Sequence, residues 1–391
     1  MVPLHPGAAK LPAMTTPAKT TPPITTVDSD GPTFPAAVLE IDLGAVVVNW
    51  RELCAQHPGG PAAAALKADA YGLGARPVAA ALHAAGCRHF FVAHLAEAQA
   101  IQDLLPGAML AVLNGLWPGD APAYAASGIA PVLGSLAEID AFTTQARTMG
   151  RPLPALLHVD TGMNRLGLPP DEVDALAAAP ARLDGIRLLY VMTHLASAEH
   201  PGDAANQRQR DRFHQACTRL PPAPRSLANS SGIFLPGFGS DLARPGAALY
   251  GVNPTPGQPN PMRGAVRLRA MILQVRHVPP GEGVGYNSTW TATRPSRIAT
   301  IPAGYADGYP RSLTNRAEAC FDGCPVPLVG RVSMDLATFD VTDVPAAVPG
   351  AWLELIGPNM PVDEVARRAG TNAYEILTQL GRRYRRTYLP A

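Results

Sequence analysis

The sequence predicts an α/β fold: a (βα)8 TIM-like barrel followed by a smaller, mostly antiparallel β domain. Three observations carry this expectation. The chain has 391 residues, long for one core of the usual about 100 to 200. From about residue 36, short apolar runs alternate with Ala/Leu-rich stretches of helical period, the βα pattern of a parallel sheet. After about Pro261 the texture changes to alternating strands separated by Pro/Gly/Asp-rich turns.

Taken in order, residues 1–33 form a Pro/Thr-rich extension with Lys10 and Lys19 as their only basic side chains. They lack the apolar run of a secretory signal and are expected to be disordered and without catalytic role. The barrel is expected over 34–263. Its strand candidates are Ala62–Lys67, His89–His94, Met109–Asn114, Ala130–Leu133, Ala155–Asp160, Leu188–His194, Ser226–Ser230 and a short segment near Asp241–Arg244. Residues 264–391 are expected to form the β domain, with strands at Val266–Val278, Arg297–Pro302, Val326–Val332, Ala337–Val341 and Trp352–Ile356. Helices should follow from about Pro361 to Gly370 and from Asn372 to Leu380. Lys67, Asp160, His194, Ser230 and Arg244 then fall at or just beyond the C-terminal ends of barrel strands, the face where barrel enzymes build active sites.

Composition narrows the partners. Hydrophobic residues make up 47%, charged residues 16%, and the formal net charge is +1. That leaves no long-range field for nucleic acid or an anionic membrane, and no run approaches the roughly 18 apolar residues of a membrane span. The five cysteines are odd in number and scattered, unlike a disulfide framework. Cys320 and Cys324, with three residues between them and no second pair nearby, read as hairpin flanks rather than a zinc motif, so no metal is expected.

The basic residues are the most informative count. Only Lys10, Lys19 and Lys67 are lysines, so 29 of 32 basic residues are arginine. Arginine can replace lysine in solvation and ion pairing, but its guanidinium cannot form a Schiff base under physiological conditions. Lys67, kept in a folded body otherwise built with arginine, is therefore marked as chemically required.

Four further segments carry chemistry alongside Leu66–Ala75 (LKADAYGLGA): His158–Gly167 (HVDTGMNRLG), the set His194, Asn229–Gly232 and Ala243–Gly246, Pro302–Tyr309 (PAGYADGY), and Gly330–Asp335 (GRVSMD). In these segments, and over about residues 36 to 388, the chain resembles the alanine racemase family. The resemblance implies a pyridoxal 5'-phosphate cofactor bound covalently to Lys67. Tyr71, Ser230 and the Gly246 backbone would hold its phosphate, Arg165 its phenolic oxygen and the substrate carboxylate, and Arg244 its pyridine nitrogen, with His194 beside it. A guanidinium only donates hydrogen bonds, so that nitrogen would stay unprotonated and the ring a weaker electron sink, favouring prompt reprotonation over side chemistry.

Racemisation needs an acid and a base on opposite faces. By resemblance Lys67 supplies one and Tyr305 the other, Tyr305 coming from the neighbouring subunit of a head-to-tail homodimer, with the Met334 backbone and Asp335 near the substrate. A His194 to Arg244 chain would stabilise the tyrosine phenolate. His158 stands where many members carry a carbamylated lysine, Ser333 where a cysteine is common, and Arg382, with Tyr384 two residues on, near the entrance. The implied role is cytoplasmic supply of D-alanine for peptidoglycan. Rival readings are a barrel-type pyridoxal-phosphate decarboxylase, whose substrate-binding cysteine motif is not seen here, an amino-acid racemase of wider substrate range, and a single-domain carrier, which would lack the β domain.

Overall fold

The computed structural model describes residues 36–391; the expectation for residues 1–33 lies outside them. Seven parallel strands follow one another in chain order: Ala64–Ala65, His89–Val92, Met109–Val112, Ala130–Leu133, Leu153–His158, Ile186–Met192 and Arg225–Ser226. The eighth staves position is filled by extended chain around Ala243, which bridges Ala62 in parallel. Ala63 donates to the Ala243 carbonyl at 2.8 Å, Ala243 to Pro61 at 3.0 Å and Ala65 to Pro245 at 3.0 Å, while Arg244 donates back to Ala228 at 2.8 Å. These bonds close the sheet into a barrel.

Strand side chains alternate between two cores, as the period of two demands. Ala63, Phe91, Ala111, Val132, Leu156, Met192 and Leu242 fill the barrel interior, contributed by successive strands. Phe90, Val92, Leu110, Val112, Ala155, Leu157 and Val191 face outward into the large core formed with the helices.

The chain enters the folded body through the β domain, not the barrel, which corrects the expected barrel start at residue 34. Strand Ala37–Asp42 lies inside a six-stranded sheet, between Val266–Met271, antiparallel to it, and Arg385–Leu389, parallel to it. Trp352–Ile356, Glu318–Phe321 and Cys324–Pro327 complete that sheet. Only then does Asp42, accepting from the Ala45 amide at 2.8 Å, cap helix Leu43–Gln56 and lead into the barrel.

The expected long strand Val266–Val278 is two strands in two sheets. Ile272 donates to Ala351 at 2.7 Å and Leu273 to Thr300 at 2.8 Å, so the chain changes partner there and Gln274–Val278 joins Ser296–Ile301 and Ala337–Asp340 in a three-stranded sheet. Expected strand Val326–Val332 is also shifted, to Cys324–Pro327 at a sheet edge, where Pro325 and Pro327 need donate nothing. Cys320 and Cys324 do flank a hairpin: Phe321 pairs with Cys324, and Asp322 and Gly323 both have positive φ, 46° and 85°, as a two-residue turn of type I′ requires. Helices Val362–Ala369 and Ala373–Gln379 stand where expected. No helix among the described residues is long and apolar enough to cross a membrane.

Candidate active site

Lys67 follows the first barrel strand, half-buried, and the chain then makes a left-handed turn. Ala68, Asp69, Ala70 and Tyr71 have φ between 53° and 57°, a conformation costing about 1–2 kcal/mol per L-residue. Strain of that size persists only where the surroundings over-determine it. Asp69 Oδ1 accepts from Ala75 at 2.7 Å and the Asp69 carbonyl from Gly74 at 2.9 Å. Arg386 and Tyr388 of the last strand donate to the carbonyls of Gly72 and Leu73, at 2.5 and 3.1 Å. A Cβ on Gly72 would sit 2.5 Å from the Leu377 carbonyl, so the β domain presses directly on the lysine turn. On the other side Glu97 accepts from the Ala68 amide at 2.7 Å.

The turn delivers Tyr71 to Gly246, where the resemblance placed the phosphate. A Cβ on Gly246 would lie 2.2 Å from Tyr71 Oη, so only glycine fits. Ser230 Oγ accepts from the Gly246 and Ala248 amides at 3.0 and 3.3 Å. Tyr250 packs on the Tyr71 ring, centroids 4.9 Å apart, and donates to the Ala65 carbonyl at 2.9 Å. Tyr71, Ser230 and Gly246 are thus brought together, and burial pushes the Tyr71 phenol up, keeping it a neutral donor.

Arg244 is buried, at 5% exposure. It donates to Ser226 Oγ and to the Thr193 carbonyl, and Ser226 Oγ donates to the Leu242 carbonyl at 2.7 Å. Burial lowers its pKa to about 9, which leaves it charged at neutral pH. Arg165 sits on a loop closed at its neck by Leu168 to His158 and Asp160 to Leu168 bonds of 2.8 and 3.0 Å. Asp160 Oδ1 accepts from the amides of Gly162, Met163 and Asn164 at 2.9 to 3.1 Å, so Asp160 holds the loop that presents Arg165. His158 lies beneath it: a Cβ on Gly167 would come within 3.1 Å of its ring. Buried Gln209 braces the loop from below, donating to Thr161 Oγ1 at 3.2 Å and to the His194 carbonyl at 2.9 Å.

Charge ties these groups into one cluster. Burial, and then Arg165, lowers the Lys67 pKa against the opposing pull of Glu97. Burial and Arg244 first, then Lys67, Arg165 and His158, bring His194 down to about 3. His158 falls to about 4 through burial and Arg244, with Asp160 opposing. Both imidazoles are therefore neutral at pH 7.

Tyr305, Met334 and Asp335 form a second group in the β domain. Tyr305 and Ala306 donate to the carbonyls of Ser333 and Met334, each at 3.0 Å. A Cβ on Gly304 would meet the Met334 carbonyl at 2.3 Å. Buried Asp307 accepts from Gly304 at 3.0 Å and from Arg383 at 2.5 and 2.7 Å, while Arg383 also donates to Asp335 at 2.8 Å. Tyr305 and Met334 are themselves exposed, at 43% and 54%. Tyr384 is buried at 3% exposure whereas Arg382 is exposed, so of those two Arg382 is the one at the surface. The reading of the sequence missed Glu97, Ser226, Gln209, Tyr250, Asp307 and Arg383. Each acts through a partner far away in the chain, which no local pattern announces.

Fold and clusters define a class: two-domain barrel enzymes with one lysine set among cationic side chains at the barrel mouth and a tyrosine turn displayed by the β domain. Residues 41–254 match the alanine racemase N-terminal domain family and residues 265–388 the alanine racemase C-terminal domain family. The chain is 57% identical over 349 residues to an alanine racemase of Acidiphilium cryptum, covering 89% of this chain and 97% of that one. It is 47% identical over 355 residues to a catabolic alanine racemase of Agrobacterium fabrum, covering 90% and 92%. Its structure resembles the alanine racemase of Bartonella henselae with covalently bound pyridoxal phosphate, with a TM-score of 0.88 and 41% identity over 91% of this chain and 100% of that one. The chain belongs to the alanine racemase family and is, with it, an isomerase.

Proposed function

We propose that the protein interconverts L- and D-alanine with pyridoxal phosphate by a two-base mechanism, Lys67 serving one face of the α carbon and Tyr305 of the partner subunit the other. The observation that carries this reading is that the turn following the folded body's single lysine brings Tyr71 onto Gly246, its Oη taking the space a Cβ there would need, beside Ser230 Oγ, which accepts from the Gly246 amide at 3.0 Å. Hydroxyls and a backbone amide around a glycine suit a phosphate dianion, and the Bartonella henselae relative holds the same cofactor covalently.

Pyridoxal phosphate, when bound, acidifies the α C–H of the amino acid attached to it. The chain's own residues do the rest. Lys67 Nζ, its pKa lowered by burial and by Arg165 against the pull of Glu97, would take the proton on its face. Arg165 would fix the substrate carboxylate, orienting the α C–H bond. Arg244 can only donate, so the ring nitrogen it faces would carry no proton. Neutral His194, backed by the Arg244 cation, would stabilise negative charge on the Tyr305 phenol. Exposure of Tyr305, Met334 and Leu336 on the β domain supports the head-to-tail homodimer, because these apolar groups would be covered when they enter a partner's barrel mouth.

Enantiomers have equal free energy, so kcat/KM must match in the two directions for every variant, and the half-reactions are read instead by α-proton exchange in deuterium oxide. Tyr305→Phe should exchange one enantiomer and spare the other, and Lys67→Ala should lose covalent cofactor absorbance and all exchange. Binding of pyridoxal phosphate without racemisation of any amino acid would overturn the reading. Supply of D-alanine for peptidoglycan in the cytoplasm is the proposed role. A deletion strain that needs D-alanine supports it; a strain that grows without D-alanine but no longer on alanine as carbon source favours a catabolic role like that of the Agrobacterium fabrum relative.

A further inference from the structure

The left-handed turn after Lys67 is secured at its far end by Arg386 and Tyr388, which donate to Gly72 and Leu73, five and six residues beyond the lysine, and by Asp69, which ties back Ala75. The peptide that immediately follows Lys67 is held by one side chain. Glu97, on the helix Leu95–Gln99, accepts from the Ala68 amide at 2.7 Å through Oε1, and from the Ala93 and His94 amides at 2.8 and 3.1 Å through Oε2. Ala93 and His94 follow directly on strand His89–Val92, whose Phe91 carbonyl accepts from Leu66 at 2.7 Å. The carboxylate therefore staples the Lys67 peptide to the end of the adjacent barrel strand. Charge-assisted bonds of this kind are about twice as strong as neutral ones.

The same carboxylate is electrostatically connected to the amine. Arg165, from the loop after strand Leu153–His158, and Glu97 act on the Lys67 charge, and Lys67 in turn acts on His194, after strand Ile186–Met192, together with Arg244, Arg165 and His158. Glu97 opposes Arg165 in this set.

We propose that Glu97 is the positioning residue of Lys67, fixing the direction of its side chain through the Ala68 peptide and balancing the Arg165 charge on its amine. This rests on the reading of Lys67 as the cofactor-binding base. Glu97→Gln keeps the shape, removes the charge, and leaves an NH2 group against backbone donors at one end. The full-length chain freed of cofactor should then capture pyridoxal phosphate with a pH midpoint displaced to lower pH, because Arg165 acts on Lys67 unopposed. The loaded variant should lose about tenfold or more in kcat with KM little changed, as expected when a reacting group is misdirected.

A merely structural role would lower the melting temperature without moving that midpoint. Glu97→Gln with wild-type midpoint and turnover overturns the proposal. Should Glu97→Gln fail to fold, Glu97→Asp decides. It keeps the charge but is one methylene short of Ala68, so a near-normal midpoint with kcat reduced about tenfold supports the proposal, and wild-type turnover overturns it. Lys67→Ala separates the two levels: if it still racemises, the reading of Lys67 has failed. If Lys67→Ala is inactive while Glu97→Gln behaves as wild type, only the role of Glu97 has.

Discussion

At Gly246 the missing Cβ makes room for the Tyr71 hydroxyl, 2.2 Å from where a methyl carbon would stand. Gly246→Ala must displace the Tyr71 hydroxyl from beside Ser230. The expected outcome is loss of pyridoxal phosphate affinity by about a hundredfold, some 3 kcal/mol, measured by equilibrium dialysis of the full chain, with little change in circular dichroism. His158 and His194 make a second prediction at this scale. Their folded pKa values, about 4 and about 3, lie below the ordinary 6.5, so the unfolded chain binds protons that the folded chain does not. Stability is full above about pH 6.5 and is lost progressively as pH falls toward 4 and then 3. His158→Gln should remove its share of this acid sensitivity, roughly 3 kcal/mol at most, measured as a flatter melting temperature against pH between 6.5 and 4 in the cofactor-free chain.

The left-handed turn Ala68–Tyr71 is an element that its own sequence does not favour. Ala68 is exposed and has φ 53°, so Ala68→Gly relieves the clash of its Cβ while adding freedom to the unfolded chain. The balance should be a gain of roughly 0.5–1 kcal/mol in unfolding free energy. Arg386→Ala works in the opposite direction, freeing the Gly72 carbonyl from the last strand and costing about 1–3 kcal/mol. Denaturant titration of both variants tests the idea that tertiary contacts, not local preference, hold this turn; destabilisation by Ala68→Gly would count against it. The last strand has a second task nearby, since the segment leading into it clamps Asp307 through Gly381 and Arg383. One stretch of chain therefore supports both the lysine turn and the tyrosine turn.

Across the whole molecule, the exposure of Tyr305 on the β domain makes the proposed dimer a testable requirement. Lys67→Ala and Tyr305→Phe subunits, each inactive in racemisation, should regain activity when mixed and allowed to exchange. A shared site leaves one intact centre in each heterodimer, and random exchange makes half the dimers heterodimers, so about a quarter of wild-type activity is expected. No recovery despite proven exchange, followed by mass spectrometry of labelled subunits, would show that each site is built within one chain.

The sequence by itself determined the barrel and its order of strands, because alternation of apolar runs with helical stretches is a local property of the chain. It also determined the hairpin at Asp322–Gly323, where the turn residues must accept positive φ, and it marked Lys67, because no other side chain in the folded body offers an amine. Only the tertiary structure decided that Ala37–Asp42 belongs to the distant β domain, that Val266–Val278 divides between two sheets, and that Glu97 and Arg386 meet the lysine turn from opposite sides. The physical reason is common to these cases. A strand's partner and a carboxylate's donors are chosen by which backbone groups the completed fold leaves to be satisfied, and those groups lie up to hundreds of residues away along the chain.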